Sequence, residues 1–251
     1  MDRTFASLVP RVQASVPGCP QPTVLQHIRE SAIRVCAETL GWRYEVPKFS
    51  LLPGVHRYYF RKPAATEVHA IFEVICNKRP LDRLTLEDAI ARHPEWADLY
   101  SGADPWALTN QTLVGQTEYN EQLYNESSLY EMPPEIVALA SSPRSVCQVT
   151  PDQYIVLPLP DDAGYEIRMW VALKPTRSAT GMDDVPFNDM EDVIFHGALQ
   201  ELLIQPEVHW RDLELASYHA KQYRYKLSER RARANLGNAR GTMTVRMQPF
   251  R

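Results

Sequence analysis

The spacing of apolar residues changes twice along this chain of 251 residues. The stretches 23–40 and 187–204 repeat apolar side chains every three or four positions, as amphipathic helices do, whereas 165–173 alternates every second position like a strand. Helices at the two ends can pack on one another, and consecutive strands between them favour antiparallel pairing. The sequence therefore predicts an α+β fold, with terminal helices packed as a helical body, an inserted antiparallel β domain and an extended C-terminal arm.

The predicted domain boundaries follow these changes of period. We expect residues 1–42 and 181–236 to form the helical body and residues 43–180 to form the β domain. Residues 100–144 are rich in Asn, Gln, Ser, Tyr and Pro without a sustained period, which predicts a long excursion from the β domain. Residues 237–251 are polar and basic, with too few apolar side chains to fold alone, and form the predicted arm.

Helices are predicted where helical spacing coincides with start and stop signals. They are expected at residues 4–15, 23–40, 86–93, 187–204 and 210–235. Gly197 lies in the middle of one of them, where it costs about 1 kcal/mol relative to Ala, so we expect another group to approach its backbone closely. The side chains predicted to pack the helices together are Gly197, Ala198, Leu213, Ala216, Ala220 and Tyr223.

The middle of the chain predicts one long strand and two hairpins. Residues 67–77 alternate in a way that suits a strand covered on both faces. Residues 43–49 and 55–61 are separated by Leu-Pro-Gly and predict the first hairpin. Residues 153–157 and 165–173, joined by Pro-Leu-Pro-Asp-Asp-Ala-Gly, predict the second.

The composition argues against a membrane span, a disulfide framework and a zinc finger. The longest apolar runs are a few residues, far short of the roughly 20 that cross a bilayer, and the N-terminus lacks an apolar targeting segment. We therefore expect a soluble protein made in the cytoplasm. Cys19, Cys36, Cys76 and Cys147 form no C-x-x-C pair, and Cys36 and Cys76 are expected to be small buried hydrophobes with reduced thiols.

The sequence contains none of the motifs that would indicate a nucleotide, acyl-transfer or metalloprotease site. We therefore predict no enzyme activity, no catalytic residue, no cofactor and no metal site. His196 has two interpretations, a ligand or base and a hydrogen-bonded packing histidine, of which the second is favoured. A cation site or the electrostatics of a helix start could each explain the acidic cluster, and we favour the helix start. The cluster comprises Asp183, Asp184, Asp189, Glu191 and Asp192.

Basic residues are concentrated at the C-terminal end. Residues 221–251 hold nine basic side chains and one acid, a net charge of +8 that leaves −12 for the rest of a chain whose total is −4. One interpretation is a solvated helix face supported by pairs such as Glu229 with Arg233. The other, which we favour, is an arm that docks on an acidic protein surface or contacts nucleic acid, and that becomes ordered on contact.

Several short motifs, in order, resemble the head-to-tail adaptor proteins of tailed bacteriophages. Near the N-terminus these are V-P-G-C-P at 16–20 and I-R-E-S-A-I-R-V-C-A-E-T-L at 28–40. The middle and C-terminal motifs are I-V-L-P-L-P-D at 155–161, V-A-L-K-P-T at 171–176, F-H-G-A-L-Q-E-L-L at 195–203, P-E-V-H-W at 206–210 and L-A-S-Y-H-A-K-Q-Y at 215–223. The resemblance covers residues 1–84 and 146–240, whereas residues 100–144 match no pattern of the family.

The resemblance implies a structural protein of the virion neck. Such adaptors have a helical body carrying a β domain and form a homo-oligomeric ring, usually of twelve copies, between the portal protein and the tail nozzle or tail-tube protein. DNA passes through the channel of the ring without specific binding, and the C-terminal segment typically reaches toward the portal. The residues that would dock on the portal are Arg230, Arg231, Arg233, Arg240, Val245, Arg246, Phe250 and Arg251.

The alternative function is of a different class. The same basic helix and arm, from Arg224 to Arg246, could make this a nucleic-acid-binding protein, because phosphate contact needs little more than clustered Arg and Lys.

Overall fold

A computed structural model describes residues 2–53, 55, 57–93 and 140–236 of the chain. It has both helices and largely antiparallel sheets, so the predicted α+β class is confirmed. The predicted arm at 237–251 and most of the predicted excursion lie outside the described residues.

The chain divides into two compact units. One unit, called here the helical unit, comprises Met1–Gly41 and Ala179–Arg251, and the other, the β unit, comprises Trp42–Ser178.

Three long helices form the frame of the helical unit. Its helices are α1 (Val9–Gln13), which follows a short 3-10 turn, α2 (Gln21–Thr39), α4 (Asp184–Ile204) and α5 (Leu213–Leu236). Helices α2, α4 and α5 pack on each other, and α1 packs on α2 and α4. The predicted helices at 23–40, 187–204 and 210–235 are thus confirmed within three residues at their starts and one at their ends. The segment predicted as one helix at 4–15 forms the 3-10 turn Phe5–Leu8 followed by α1.

A short antiparallel ladder joins the two parts of the chain that make the helical unit. Strand β1 (Asp2–Thr4) pairs with β10 (Gly181–Asp183), directly before α4. Neither three-residue strand was predicted, because such short runs have no measurable period. The backbone oxygen of Arg3 lies so close to Gly181 that a Cβ there would overlap it, so this ladder requires a glycine.

The core of the helical unit holds the apolar faces of these helices. The fully buried side chains include Phe5, Leu8, Val12, Val24, Ile28, Val35, Phe187, Val193, Ile194, Leu199 and Leu202. In α2 the buried residues repeat every three or four positions, whereas α4 is buried on more than one face because α2 and α5 both pack on it. Burying a side chain of this size contributes roughly 1.5–3 kcal/mol. Cys36 is in the same core, where burial raises the pKa of its thiol to about 12.

The β unit contains two four-stranded sheets. The first has the order β2 (Arg43–Ser50), β9 (Glu166–Pro175), β4 (Thr66–Cys76) and β5 (Arg79–Pro80). The second has the order β3 (Arg57–Tyr59), β8 (Gln153–Leu157), β7 (Ser145–Gln148) and β6 (Asp82–Leu84). Thr85 caps the start of helix α3 (Leu86–Arg92), because its hydroxyl oxygen accepts a hydrogen bond from the Asp88 backbone N–H.

Both predicted hairpins are wrong, although the strands themselves are present. Strand β2 pairs with β9, and β3 pairs with β8 in the other sheet. The chain crosses between sheets after Leu51, where the Tyr58 hydroxyl hydrogen-bonds the backbone of Leu52 and donates to the carbonyl of Val55. The turn residues marked where each strand ends, but burial of Tyr58 against Tyr154 selects a different partner strand.

The second predicted hairpin fails for a related reason. Strands β8 and β9 belong to different sheets, and the residues that follow β8 form hydrogen bonds with the segment that leads into β7 instead of with β9. The carbonyls of Leu157 and Leu159 accept hydrogen bonds from Arg144 and Ser141, and Pro158 has no N–H to offer β9. Leu159 instead packs against Leu157 in the core of the second sheet.

Two further expectations for the β unit need correction. Strand β6 pairs with β7 in parallel, so the β domain is not purely antiparallel; the 60 residues that separate the two strands in the sequence exceed the dozen or so that a parallel connection needs. Strand β4 buries Val68 and Val74 on one face, whereas the other face exposes His69 and Glu73 and leaves Ile71 and Ile75 half-buried, so the second face is only partly covered.

Candidate functional site

The face of α5 that packs on the helical unit is shifted from the predicted one. Ala216, His219, Tyr223 and Leu227 are buried, at spacings of three and four residues. The predicted packing residue Leu213 is 55% exposed, because it lies in the first turn of α5 and at the edge of this stripe. Ala220 is half-buried, and the place that an apolar residue would take is occupied by His219.

Gly197 lies where α4 faces both α2 and α5. A Cβ at this position would overlap the hydroxyl oxygen of Ser31 on α2 and lie 3.0 Å from the ring of Tyr223 on α5. The Ser31 hydroxyl donates a hydrogen bond of 2.9 Å to the carbonyl of Ile194, one turn before Gly197. The neighbouring Ala198 is fully buried. Small side chains on α4 therefore let the three long helices approach each other closely at this point.

The opposite face of α5 carries aromatic and basic side chains. Tyr218 is 52% exposed and Tyr225 is 69% exposed, and these two residues are seven positions apart on one side of the helix. Lys221 lies between them on the same side, and Arg224 is next to it; both are exposed. We call these four residues the tyrosine–lysine face.

The basic side chains in the second half of α5 bind acids of the same unit. Lys226 Nζ lies 2.7 Å from Asp192, and Arg230 lies 3.5 Å from Asp189, both on α4. Arg231 donates to the carbonyl of Glu38 at 2.8 Å and to its carboxylate at 2.9 Å, at the end of α2. These contacts attach α5 to α4 and α2.

Arg233 differs from its neighbours because it makes its ion pair within α5, with Glu229 at 3.7 Å. Of the residues predicted to dock on a portal, Arg230, Arg231 and Arg233 are therefore described. The others, Arg240, Val245, Arg246, Phe250 and Arg251, lie outside the described residues.

The acidic cluster of α4 serves mainly as a partner for basic side chains. Asp184 is in the first turn of the helix, but Asp189, Glu191 and Asp192 lie later, where the positive helix end no longer acts on them. Glu191 and Asp192 accept hydrogen bonds from Arg11, and the hydrogen bond from Lys226, with a second from Arg11, lowers the pKa of Asp192. The helix-start explanation is thus wrong for these three acids.

His196 and His219 form a pair between α4 and α5. Their Nδ1 atoms are 2.8 Å apart, so one ring donates and the other accepts. The favoured interpretation of His196 as a hydrogen-bonded packing histidine is confirmed, and its partner was not recognised from the sequence. Burial, and then the adjacent His219, lowers the pKa of His196 to about 4; burial also lowers the pKa of His219. Both rings are therefore neutral at physiological pH.

One group of side chains in the described part of the chain has the spacing of metal ligands. His27, Glu30 and Glu201 offer ligand atoms that all lie within 4.8 Å of one another. The sequence separates Glu201 from the other two by more than 170 residues, so no motif search would join them. The sequence indicates only part of this group: His27 and Glu30 are three residues apart, so a helix places them on the same side of α2.

No helix in the described ranges combines the length and the apolar character that a membrane span requires. The four cysteines are all buried and unpaired. The sequence matches no protein-family model and no curated protein.

Proposed function

We propose that this protein is a structural head-to-tail adaptor of a tailed bacteriophage. Twelve or a similar number of copies would form a ring beneath the portal protein, connect it to the tail nozzle or tail tube, and leave a channel through which DNA passes. The adaptor would act by binding alone and would have no catalytic turnover.

The observation that carries the proposal is the meeting of three motifs at Gly197. Ser31 belongs to the motif at 28–40, Gly197 to that at 195–203 and Tyr223 to that at 215–223. These are the helical segments on which the resemblance to adaptors depends. Because they are far apart in sequence yet meet at one packing contact, the three segments belong to one helical body, which supports taking them together as the body of an adaptor.

The exposed side of α5 supports a role in binding another protein. Tyr and Arg are enriched in protein–protein interfaces, and the tyrosine–lysine face supplies Tyr218, Tyr225 and Arg224, all exposed on the side of α5 away from the buried stripe. The helix ends at Leu236 and is followed in the sequence by the basic residues 237–251. A closed ring requires two different complementary faces on each subunit, and this face is our candidate for one of them.

The ion pairs of α5 weigh against the alternative, nucleic-acid binding. Lys226, Arg230 and Arg231 are three of the basic residues that would contact phosphate, and each faces an acid of the helical unit. A filter-binding titration against salt tests this alternative. A phosphate reader would show a steep loss of affinity as salt rises, whereas an adaptor would bind little DNA at any salt concentration.

Electron microscopy tests the proposal directly. The full chain would be imaged alone and after mixing with the portal protein encoded by the same phage, with mass measured by light scattering. We expect rings in at least the mixed sample. Particles that stay monomeric in both samples, with portal rings left undecorated, would contradict the adaptor function.

A truncation tests the predicted arm. Removing residues 237–251 is expected to weaken binding to the portal while the circular dichroism spectrum of the chain is retained. If the truncated protein binds the portal as tightly as the full chain, residues 237–251 do not dock there.

A further inference from the structure

The polar group at the crossing of α2 and α4 combines an imidazole with two carboxylates. His27 and Glu30 lie one turn apart on α2, and Glu201 faces them from α4. The His27 Nδ1 atom is 3.5 Å from Glu201 Oε2 and 4.0 Å from Glu30 Oε2. All three side chains are partly buried, so a bound ion would contact both protein and solvent.

These distances are close to those of a tetrahedral metal site. Zn²⁺ binds His nitrogen and carboxylate oxygen at about 2.0–2.2 Å, which places neighbouring ligand atoms of a tetrahedron about 3.4 Å apart. The separation between His27 and Glu201 already has this value. Glu30 Oε2 must approach His27 Nδ1 by roughly half an ångström, which its 45% exposed side chain can do by rotation, and its separation from the Glu201 ligand atom is within 4.8 Å.

Gln205 supports the histidine from its other side. Its side-chain amide lies 2.7 Å from His27 Nε2. Rotation of the amide by half a turn presents its oxygen, which accepts a hydrogen bond from Nε2–H and leaves the lone pair of Nδ1 directed at the two carboxylates. Histidine ligands of metals ordinarily have such a hydrogen bond on the second ring nitrogen.

Arg34 holds the remaining oxygen of Glu201. The guanidinium forms an ion pair with Oε1, while Oε2 stays on the His27 side. Arg34 thus orients the carboxylate, but its positive charge also opposes a cation at the same place.

We propose that His27, Glu30 and Glu201 form a binding site for a divalent transition metal such as Zn²⁺, with water as the fourth ligand, which crosslinks α2 to α4. Zn²⁺ and Co²⁺ fit a mixed nitrogen and oxygen set, whereas Ca²⁺ and Mg²⁺ prefer oxygen ligands alone and in larger number. The role is structural, because the ion ties two helices of one unit, and it does not depend on the proposed adaptor function.

Titration of the full chain with ZnCl₂ tests the site. After removal of metal by EDTA and dialysis, calorimetry is expected to give one Zn²⁺ per chain, and Co²⁺ is expected to give the visible absorption of a tetrahedral complex. Glu30→Gln and His27→Gln should weaken the affinity at least tenfold. Glu30, the most exposed of the three, serves as the main variant, because its change leaves the helix contacts in place, as circular dichroism in EDTA would verify.

Two other variants are expected to change the Zn²⁺ affinity in opposite directions. Gln205→Leu removes the support of His27 and is expected to weaken Zn²⁺ affinity by about tenfold. Arg34→Met removes the opposing charge and is expected to strengthen the affinity several-fold. A polar network without metal affinity would produce neither change.

Matched controls are provided by exposed residues of the same types elsewhere, His69→Gln on β4 and Glu214→Gln on α5, which should bind Zn²⁺ like the wild-type chain. The proposal is overturned if the wild-type chain binds less than one Zn²⁺ at micromolar concentration. It is equally overturned if Glu30→Gln and His27→Gln bind as tightly as the two controls.

Discussion

The helical unit and the β unit differ in how well their residue spacing predicts their structure. In the helical unit the periodic stretches became helices with nearly the predicted bounds, and their apolar stripes face one another. In the β unit the strands are where alternation placed them, yet both predicted hairpins pair differently and lie in separate sheets. A helix satisfies its backbone hydrogen bonds within a few residues, whereas a strand needs a partner that local sequence does not specify.

The largest expected effect tests the core of the second sheet in the β unit. Leu157 is fully buried on β8 beside Cys147 and Leu159. Leu157→Ala should lower the free energy of unfolding by about 4 kcal/mol, since it removes buried apolar surface and leaves a cavity. Denaturant unfolding followed by tryptophan fluorescence measures this loss, and Leu213→Ala, at an exposed position, should change it by less than about 0.5 kcal/mol.

The same substitution can also test the strand pairing. A double-mutant cycle of Leu157→Ala with Cys147→Ala should give a coupling energy above about 0.5 kcal/mol, because both side chains belong to one buried cluster on paired strands. A cycle with Ile167→Ala, on β9 of the other sheet, should be additive. Strong coupling to Ile167 with none to Cys147 would restore the hairpin that the spacing predicted.

Gly197→Val tests the packing of the long helices in the helical unit. The added side chain overlaps Ser31 and presses on Tyr223, so we expect a loss of about 3 kcal/mol of unfolding free energy. Gly164→Val is the control, since a Cβ there meets only the movable carboxylate of Asp162 at 3.3 Å. Equal stability of the two variants would show that α4 does not approach its neighbours as described.

A smaller effect is expected at the end of α5. Arg231→Met removes two hydrogen bonds to Glu38 and should cost about 1 kcal/mol, limited by the exposure of both side chains. Arg233→Met removes only a pair within the helix and should cost about 0.3 kcal/mol. Thermal unfolding of both variants provides the comparison. A larger loss for Arg233 would contradict the attachment of α5 to α2 through Arg231.

The smallest expected effect is a loss of stability at acidic pH. The pKa of His196 in the folded chain is about 4, below its ordinary value of 6.5, so the unfolded chain binds more protons between these two values. The stability of the helical unit should therefore fall as pH drops from about 6.5 to about 4. Solvent reaches the half-buried ring, and Asp192 partly offsets the positive charges of Lys226 and Arg11, which keeps the effect modest.

His196→Gln keeps a hydrogen-bonding group without a titrating one, and it should flatten this pH dependence. Unfolding measured at several pH values compares the variant with the wild-type chain. A slope that is the same in both chains would mean that the histidine pair does not contribute.

Interactions between distant residues account for most of what the spacing did not predict about the candidate sites. Repeating apolar positions identified Gly197 and most of the α5 stripe, because these depend on helical geometry alone. Other features could be recognised only once α2, α4 and α5 had been placed relative to one another. They are the burial of His219 in that stripe, its hydrogen bond to His196, and the ion pairs of Lys226, Arg230 and Arg231. The group of His27, Glu30 and Glu201 likewise exists only where two helices cross.

The sequence by itself determined the α+β class, the extents of the helices and longer strands, the capping of α3 by Thr85 and the concentration of positive charge toward the C-terminus. Each of these depends on residues within a turn or a strand of one another, or on simple counting. Only the tertiary structure decided the strand order, the parallel pairing of β6 with β7 and the partners of the charged side chains. Those features are selected by burial and hydrogen bonding between distant segments, whose free energies no local pattern contains.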